Sequence, residues 1–231
     1  IGTIELCPGI SLIATVIEWI AHRCFSNTHF GIYPDGKQMD HQIFNHLLSD
    51  SHVSERVALV ANKAIFMQHE TGHSHPESPK RVEAIEQALT QAGLMTPENT
   101  LIPRQAKLEE ISLCHDKLYQ AELQRQIAEL QKHQNWKTAQ FTHEICNVDA
   151  VSGDFQISPN TFDVSLYAAG APLTAIEYIL NPDHQTSRAF CIVRPPGHHA
   201  HQQTGSGFCI FNNVAIAAKH LTQNLGFKRV L

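Results

Sequence analysis

From Val57 onward the chain alternates between short, β-branched apolar runs and longer stretches whose apolar residues recur three and four apart. No other feature limits the fold as strongly, because parallel strands need a crossover of a dozen or more residues between them, usually a helix. Residues 57–67 read as a buried strand. A helix follows, with Ser78 as its N-cap, Pro79 in the first position and Gly93 after the last turn. Val82, Ile85, Ala88 and Leu89 supply its apolar face. Residues 116–133 form a second amphipathic helix, with Leu118, Leu123, Ile127 and Leu130 on one side. Ser158-Pro159-Asn160 opens a third, which runs to Leu180 and is stopped by Asn181-Pro182-Asp183. Residues 188–193 make a short strand, residues 213–224 a helix ended by Gly226, and residues 227–231 the start of another strand. The pattern predicts an α/β fold whose parallel sheet is flanked by helices and cut after an early strand.

The first 56 residues differ in character. Residues 10–21 read as a helix with an apolar stripe, Tyr33-Pro34-Asp35-Gly36 as a turn, and residues 40–48 as a short helix. None carries a chemical motif. The expected division is an extension over residues 1–56 and a domain over residues 57–231.

Composition excludes several classes. Hydrophobic residues are 42% and charged residues 17% of the chain, which rules out a charge-solvated disordered polymer. The net charge is −5 and the basic residues are scattered, so no nucleic-acid-binding face is expected. The six Cys include no CxxC pair and read as reduced, mostly buried thiols. The longest apolar stretch is about twelve residues against the roughly twenty that span a bilayer, and no basic segment precedes it as in a signal peptide. A soluble, cytoplasmic protein with no membrane partner is the expectation. Its first residue is Ile, which suggests a fragment. Sixteen His stand out, since protonating all of them would swing the net charge from −5 to +11 and make the fold sensitive to mild acid.

The strongest local signal is Arg194-Pro195-Pro196-Gly197-His198-His199-Ala200-His201, directly after a predicted strand. Ligand sites of open α/β sheets lie at that carboxyl edge. Two adjacent imidazoles on one stiff loop can divide the work of accepting and donating a proton near pH 7. Gly205-Ser206-Gly207-Phe208-Cys209 follows, where small residues admit a ligand to the backbone and Phe208 walls a narrow apolar slot. A second cluster, His69-Glu70-Thr71-Gly72-His73-Ser74-His75, has His at metal-ligand spacing but no matching Cys or carboxylate pair. Asp154, in a Gly/Ser loop with Asp149, is either a turn former or a substrate-binding acid.

Three motifs together resemble the histone deacetylase superfamily, especially its class II-like and bacterial members, which include acetylpolyamine amidohydrolases and acetoin-utilisation proteins. They are His75-Pro76-Glu77-Ser78-Pro79-Lys80-Arg81, Arg194-Pro195-Pro196-Gly197-His198-His199-Ala200, and the run from Gly207-Phe208-Cys209-Ile210-Phe211-Asn212-Asn213 through Ala218. The resemblance covers residues 57–231 and implies an arginase-like fold and zinc-dependent hydrolysis of acyl-amides, such as N-acetyl-lysine in proteins or acetylated polyamines. It implies that His198 and His199 are the tandem catalytic pair, with His199 the general base and His198 charged or an electrostatic partner. By the same resemblance Gly207 and Phe208 form the floor and wall of the acyl-lysine tunnel, Asp154 is the rim acid, and Arg81 lies near the acetate channel.

The family's zinc ligands, an Asp and a His from an Asp-x-His motif and a later Asp, are implied to lie C-terminal to Leu231. The expectation is that this chain ligates no zinc by itself and is inactive alone. Two other readings stay open: a non-catalytic module that binds acyl-lysine or polyamine, and a metal-buffering protein using His69, His73 and His75.

Overall fold

The computed structural model describes residues 57–72, 75–132, 138–140, 155–184 and 186–230, together with three strands within the first 23 residues. Those strands are β1 (Gly2–Leu6), β2 (Ile10–Ala14) and β3 (Trp19–Arg23). They form an antiparallel meander, with Gly2 opposite Ala14 and Ile10 opposite Arg23. The helix expected over residues 10–21 is therefore not formed. Isolated helices of about twelve residues are marginal, and β-branched Ile10, Ile13 and Ile20 favour the ladder that a neighbouring strand offers. The turn at residues 33–36 and the helix at residues 40–48 lie outside the described residues.

A parallel three-stranded sheet carries the rest, in the order β5 (Thr100–Leu101), β4 (Ala58–Ala61), β8 (Ala189–Ile192). Ala58 faces Ala189 and Ala61 faces Ile192 across β4 and β8, while Leu59 faces Thr100 across β4 and β5. β4 is shorter than expected, because Asn62 accepts a bond from the Ile65 N–H (3.2 Å) and starts α1 (Lys63–Phe66). That side-chain cap satisfies a helical donor that a continuing strand would leave to the sheet. A second, antiparallel pair joins β6 (Ala139–Gln140) to β7 (Gln156–Ile157).

The helices follow the periodicity with local changes. α2 (Lys80–Gln91) starts after Pro79, and the Ser78 side chain makes no capping bond; its carbonyl instead accepts from the Arg81 N–H at 3.1 Å. At the other end Gly93 takes φ +69° and the Leu94 N–H closes on the Leu89 carbonyl, as expected of a glycine stop. α3 (Leu108–Ile111) is a single turn, and α4 (Lys117–Lys132) buries Tyr119, Leu123, Ile127 and Leu130. Leu118 does not join them and is 73% exposed. It lies five positions before Leu123, which puts it about 140° around the helix axis.

α5 (Thr161–Leu180) is buried along most of its length and packs on β4, β8, α4 and α6 (Asn213–Lys219). After α6 the backbone widens into a π turn over His220–Asn224. The strand expected from residue 227 is not formed among the described residues: Phe227 is buried in the core and donates its N–H to the Leu221 carbonyl, and only Val230 is bridged. No helix among the described residues is long and apolar enough to cross a membrane.

Candidate active site

β8 delivers the chain into Arg194, and Arg194 is where the site is anchored. Its side chain is 2% exposed. Nε and Nη2 donate to the two Glu77 carboxylate oxygens at 2.7 and 2.8 Å, and Nη1 donates to the carbonyls of Phe66 (2.8 Å) and His69 (2.5 Å). A buried guanidinium demands this, since each unpaired donor would otherwise cost its full desolvation. The network ties three segments together: the end of α1, the 69–77 loop, and the loop that bears the histidine pair.

His69 continues it. Its Nδ1 is 2.9 Å from Thr161 Oγ1, and Nε2 is 3.9 Å from Glu77 Oε2. Burial, with Arg194 nearby, holds its pKa well below the usual imidazole range, so it is neutral. His75 takes a separate role. Its Nδ1 accepts from the Glu77 N–H at 3.1 Å, and its ring meets Phe208 edge-on with centroids 4.8 Å apart. His73 lies outside the described residues. His69 and His75 thus serve different neighbours, and no group of three or more His, Cys, Asp or Glu able to hold a metal ion occurs among the described residues.

His198 and His199 sit at the carboxyl edge of β8, as expected, with ring centroids 4.1 Å apart and planes at 46°. His199 is exposed and His198 half-buried. Desolvation, then the neighbouring His199, lowers the His198 pKa to about 4. Among the described residues this environment favours the neutral ring. The cause is visible: Nδ1 is buried without a hydrogen-bond partner among the described residues, so no carboxylate there stabilises an imidazolium.

The 205–212 segment closes the other side. Ser206 and Cys209 exchange backbone bonds at 3.1 and 2.9 Å around Gly207 and Phe208, whose φ angles are +55° and +65°. Two successive positive φ values define a tight turn that glycine accepts freely and phenylalanine does not. Strain of this kind at a bulky residue is concentrated at functional positions. Gly207 is required for space as well: a Cβ there would lie 2.5 Å from His199 Cδ2. The turn therefore puts Gly207 against the exposed ring of the pair and Phe208 against His75. Gly197 is equally confined, because a Cβ would collide with the Asn213 side chain at the start of α6.

Arg81 is half-buried in the first turn of α2, and no hydrogen bond or ion pair joins it to the histidine pair among the described residues. Asp154 lies outside the described residues. Three further features surround the pair. His75, read in the sequence as one His of the 69–75 cluster, packs edge-on against Phe208. His115, buried against Tyr119 and Phe211, accepts the Asn212 N–H at 2.8 Å, and Tyr119 donates to the Ile210 carbonyl at 2.8 Å. Cys209 Sγ accepts the N–H groups of both His198 and His199. The signal for His75 was present in its adjacency to Pro76 and Glu77; the other two depend on contacts about 10 and 97 residues apart.

Residues 75–231 match the sequence family described as the histone deacetylase domain. The chain is 36% identical over 173 residues to the uncharacterized protein slr0245 of Synechocystis, which covers 72% of this chain and 49% of that protein. It is 37% identical over 158 residues to the polyamine deacetylase HDAC10 of Homo sapiens, covering 67% and 21%. It is 30% identical over 167 residues to a probable deacetylase of Archaeoglobus fulgidus, covering 71% and 41%. The chain thus spans half or less of the length of these relatives. Among solved structures, the HDA15 HD domain superposes with a TM-score of 0.59 at 25% identity, over 74% of this chain and 43% of that one.

Proposed function

Because this chain belongs to the histone deacetylase family, we propose that it is the N-terminal part of a catalytic domain that hydrolyses acyl-amides, with His198 and His199 handling the protons. On this reading residues 57–231 belong to the domain and residues 1–56 are an extension of separate role. The substrates are N-acetyl-lysine side chains or acetylated polyamines. The observation that carries the reading is the paired His198 and His199 rings, with His199 packed against Gly207 and the adjacent Phe208 meeting His75 edge-on. A narrow slot with two proton carriers at its base suits an extended aliphatic amide.

Hydrolysis adds water to the amide carbonyl and breaks the C–N bond, yielding a carboxylate and an amine. One imidazole must take the proton of the attacking water, and the departing nitrogen must receive one. A neutral His198 is able to accept, and the exposed His199 is within reach of a bound acyl group. Relatives in this family generally use zinc, which supplies a Lewis acid and an activated water when bound. The described residues do not fit it alone: they hold no cluster of three ligands, and His198 Nδ1 is buried without an acceptor. We place the ligands C-terminal to Leu231 and expect the 231-residue chain to be inactive by itself.

The test pairs zinc content with hydrolysis of fluorogenic acetyl-lysine and acetylated polyamine substrates. It is run on this chain and on the protein extended to its natural C-terminus, each with His198→Ala and His199→Ala controls. Turnover by the extended form alone, lost in both controls, supports the reading. A zinc-free, inactive extended form that still binds acetylated ligand supports a binding module instead.

A further inference from the structure

We propose that Cys209 is the positioning residue of the histidine pair, its sulfur joining the backbone of His198 and His199 to the Gly207 carbonyl and so setting where both rings stand. What the pair does rests on the deacylase reading above; how it is held does not.

Cys209 is fully buried. Its Sγ lies 3.4 Å from the His198 nitrogen, 3.4 Å from the His199 nitrogen and 3.4 Å from the Gly207 oxygen. A neutral thiol can serve all three at once, since its lone pairs accept from the two N–H groups and its S–H donates to the carbonyl. Neither consecutive N–H joins β8 or a helix, so the sulfur is the acceptor that fixes this stretch of backbone. The third bond matters as much. Gly207 touches the His199 ring so closely that a Cβ would not fit, so any drift of Gly207 relative to the pair is a drift of that ring. One atom therefore joins the floor of the slot to the groups that move protons.

The chemistry of sulfur explains the residue type. Bonds to sulfur are longer than bonds to oxygen, so a serine hydroxyl on a shorter arm cannot meet both N–H groups at about 3 Å without shifting the loop. A residue that only filled volume would not need to be an acceptor at all.

The experiment uses Cys209→Ala and Cys209→Ser in the full-length protein. It reads amide hydrogen exchange at His198 and His199 without substrate, and steady-state hydrolysis of a fluorogenic acetyl-lysine peptide. In Cys209→Ala both amides should exchange roughly tenfold faster, and kcat should fall on the order of 10- to 100-fold with KM within about twofold of wild type. Cys209→Ser should recover part of the protection and part of the rate. Unchanged exchange at both amides in either folded variant overturns the proposal, as does a rate loss carried by KM. Should the alanine variant not fold, the serine variant decides by the same amide readout. A wild type that hydrolyses nothing, with amides that respond as expected, removes the deacylase reading and leaves the positioning role intact.

Discussion

Glu77 and Arg194 form a bidentate ion pair across 117 residues of chain, and both side chains are 2% exposed. The pair stands between the His75 wall and the loop of the histidine pair. Glu77 belongs to the segment whose backbone orients His75, and Arg194 precedes the pair by four residues. Removing one partner leaves a charge with no water to take it. Glu77→Gln should destabilise the fold by roughly 3–5 kcal/mol, read as a shift of the urea midpoint. The double variant Glu77→Gln/Arg194→Met leaves no buried charge and should recover much of that loss. A single variant as stable as wild type would show that the pair contributes no net stability.

Gly207→Ala tests the contact between the turn and the pair. The added methyl meets His199 Cδ2 at 2.5 Å, and the backbone there has φ +55°. Displacing that ring should cut hydrolysis by the full-length protein on the order of 100-fold. The melting temperature should fall only modestly, because the turn lies at the surface of the core. Equal losses of rate and of folded protein would point to misfolding instead.

Phe208 should govern binding more than turnover. Its ring is the apolar face that His75 meets edge-on. Phe208→Ala widens the slot, and we expect KM to rise by about tenfold with kcat nearly unchanged. A fall in kcat at constant KM would place Phe208 in the chemical step.

Acid should weaken the fold through buried neutral imidazoles. Burial lowers His115 to about 4 and holds His69 well below its usual value. Both groups bind protons more readily in the unfolded chain, so stability is full above about pH 6.5 and falls as pH drops from there toward 4. For His115 the loss is on the order of 3 kcal/mol by pH 4. Protonating its Nε2 also removes the acceptor of the Asn212 N–H, which loosens the end of the loop. Urea denaturation from pH 7.5 to 4.5 should show this slope, and a folded His115→Gln variant should flatten it. The same slope in that variant would assign the effect to other residues.

The α/β character, the three long helices and the two site loops were legible in the sequence, because each rests on local signals. Periodic apolar residues mark α4 and α5, Gly93 ends α2, and His198-His199 follows a strand by adjacency. The meander near the N-terminus was not legible. A twelve-residue apolar run is compatible with either period until a partner strand is present, and β1 and β3 are those partners for β2. Leu118 and the missing strand after Phe227 show the same limit: which apolar residue enters the core depends on the faces already occupied.

By itself the sequence determined the residue types of the site, the order of elements, and the family to which the chain belongs. Only the tertiary structure decided what those residues meet. Arg194 reaches Glu77, His75 reaches Phe208, and Cys209 holds the backbone of the pair. It also decided the surroundings of His198, where burial lowers the pKa. A pKa follows from desolvation and from partners distant along the chain, and neither is encoded in the two adjacent letters that announce the pair.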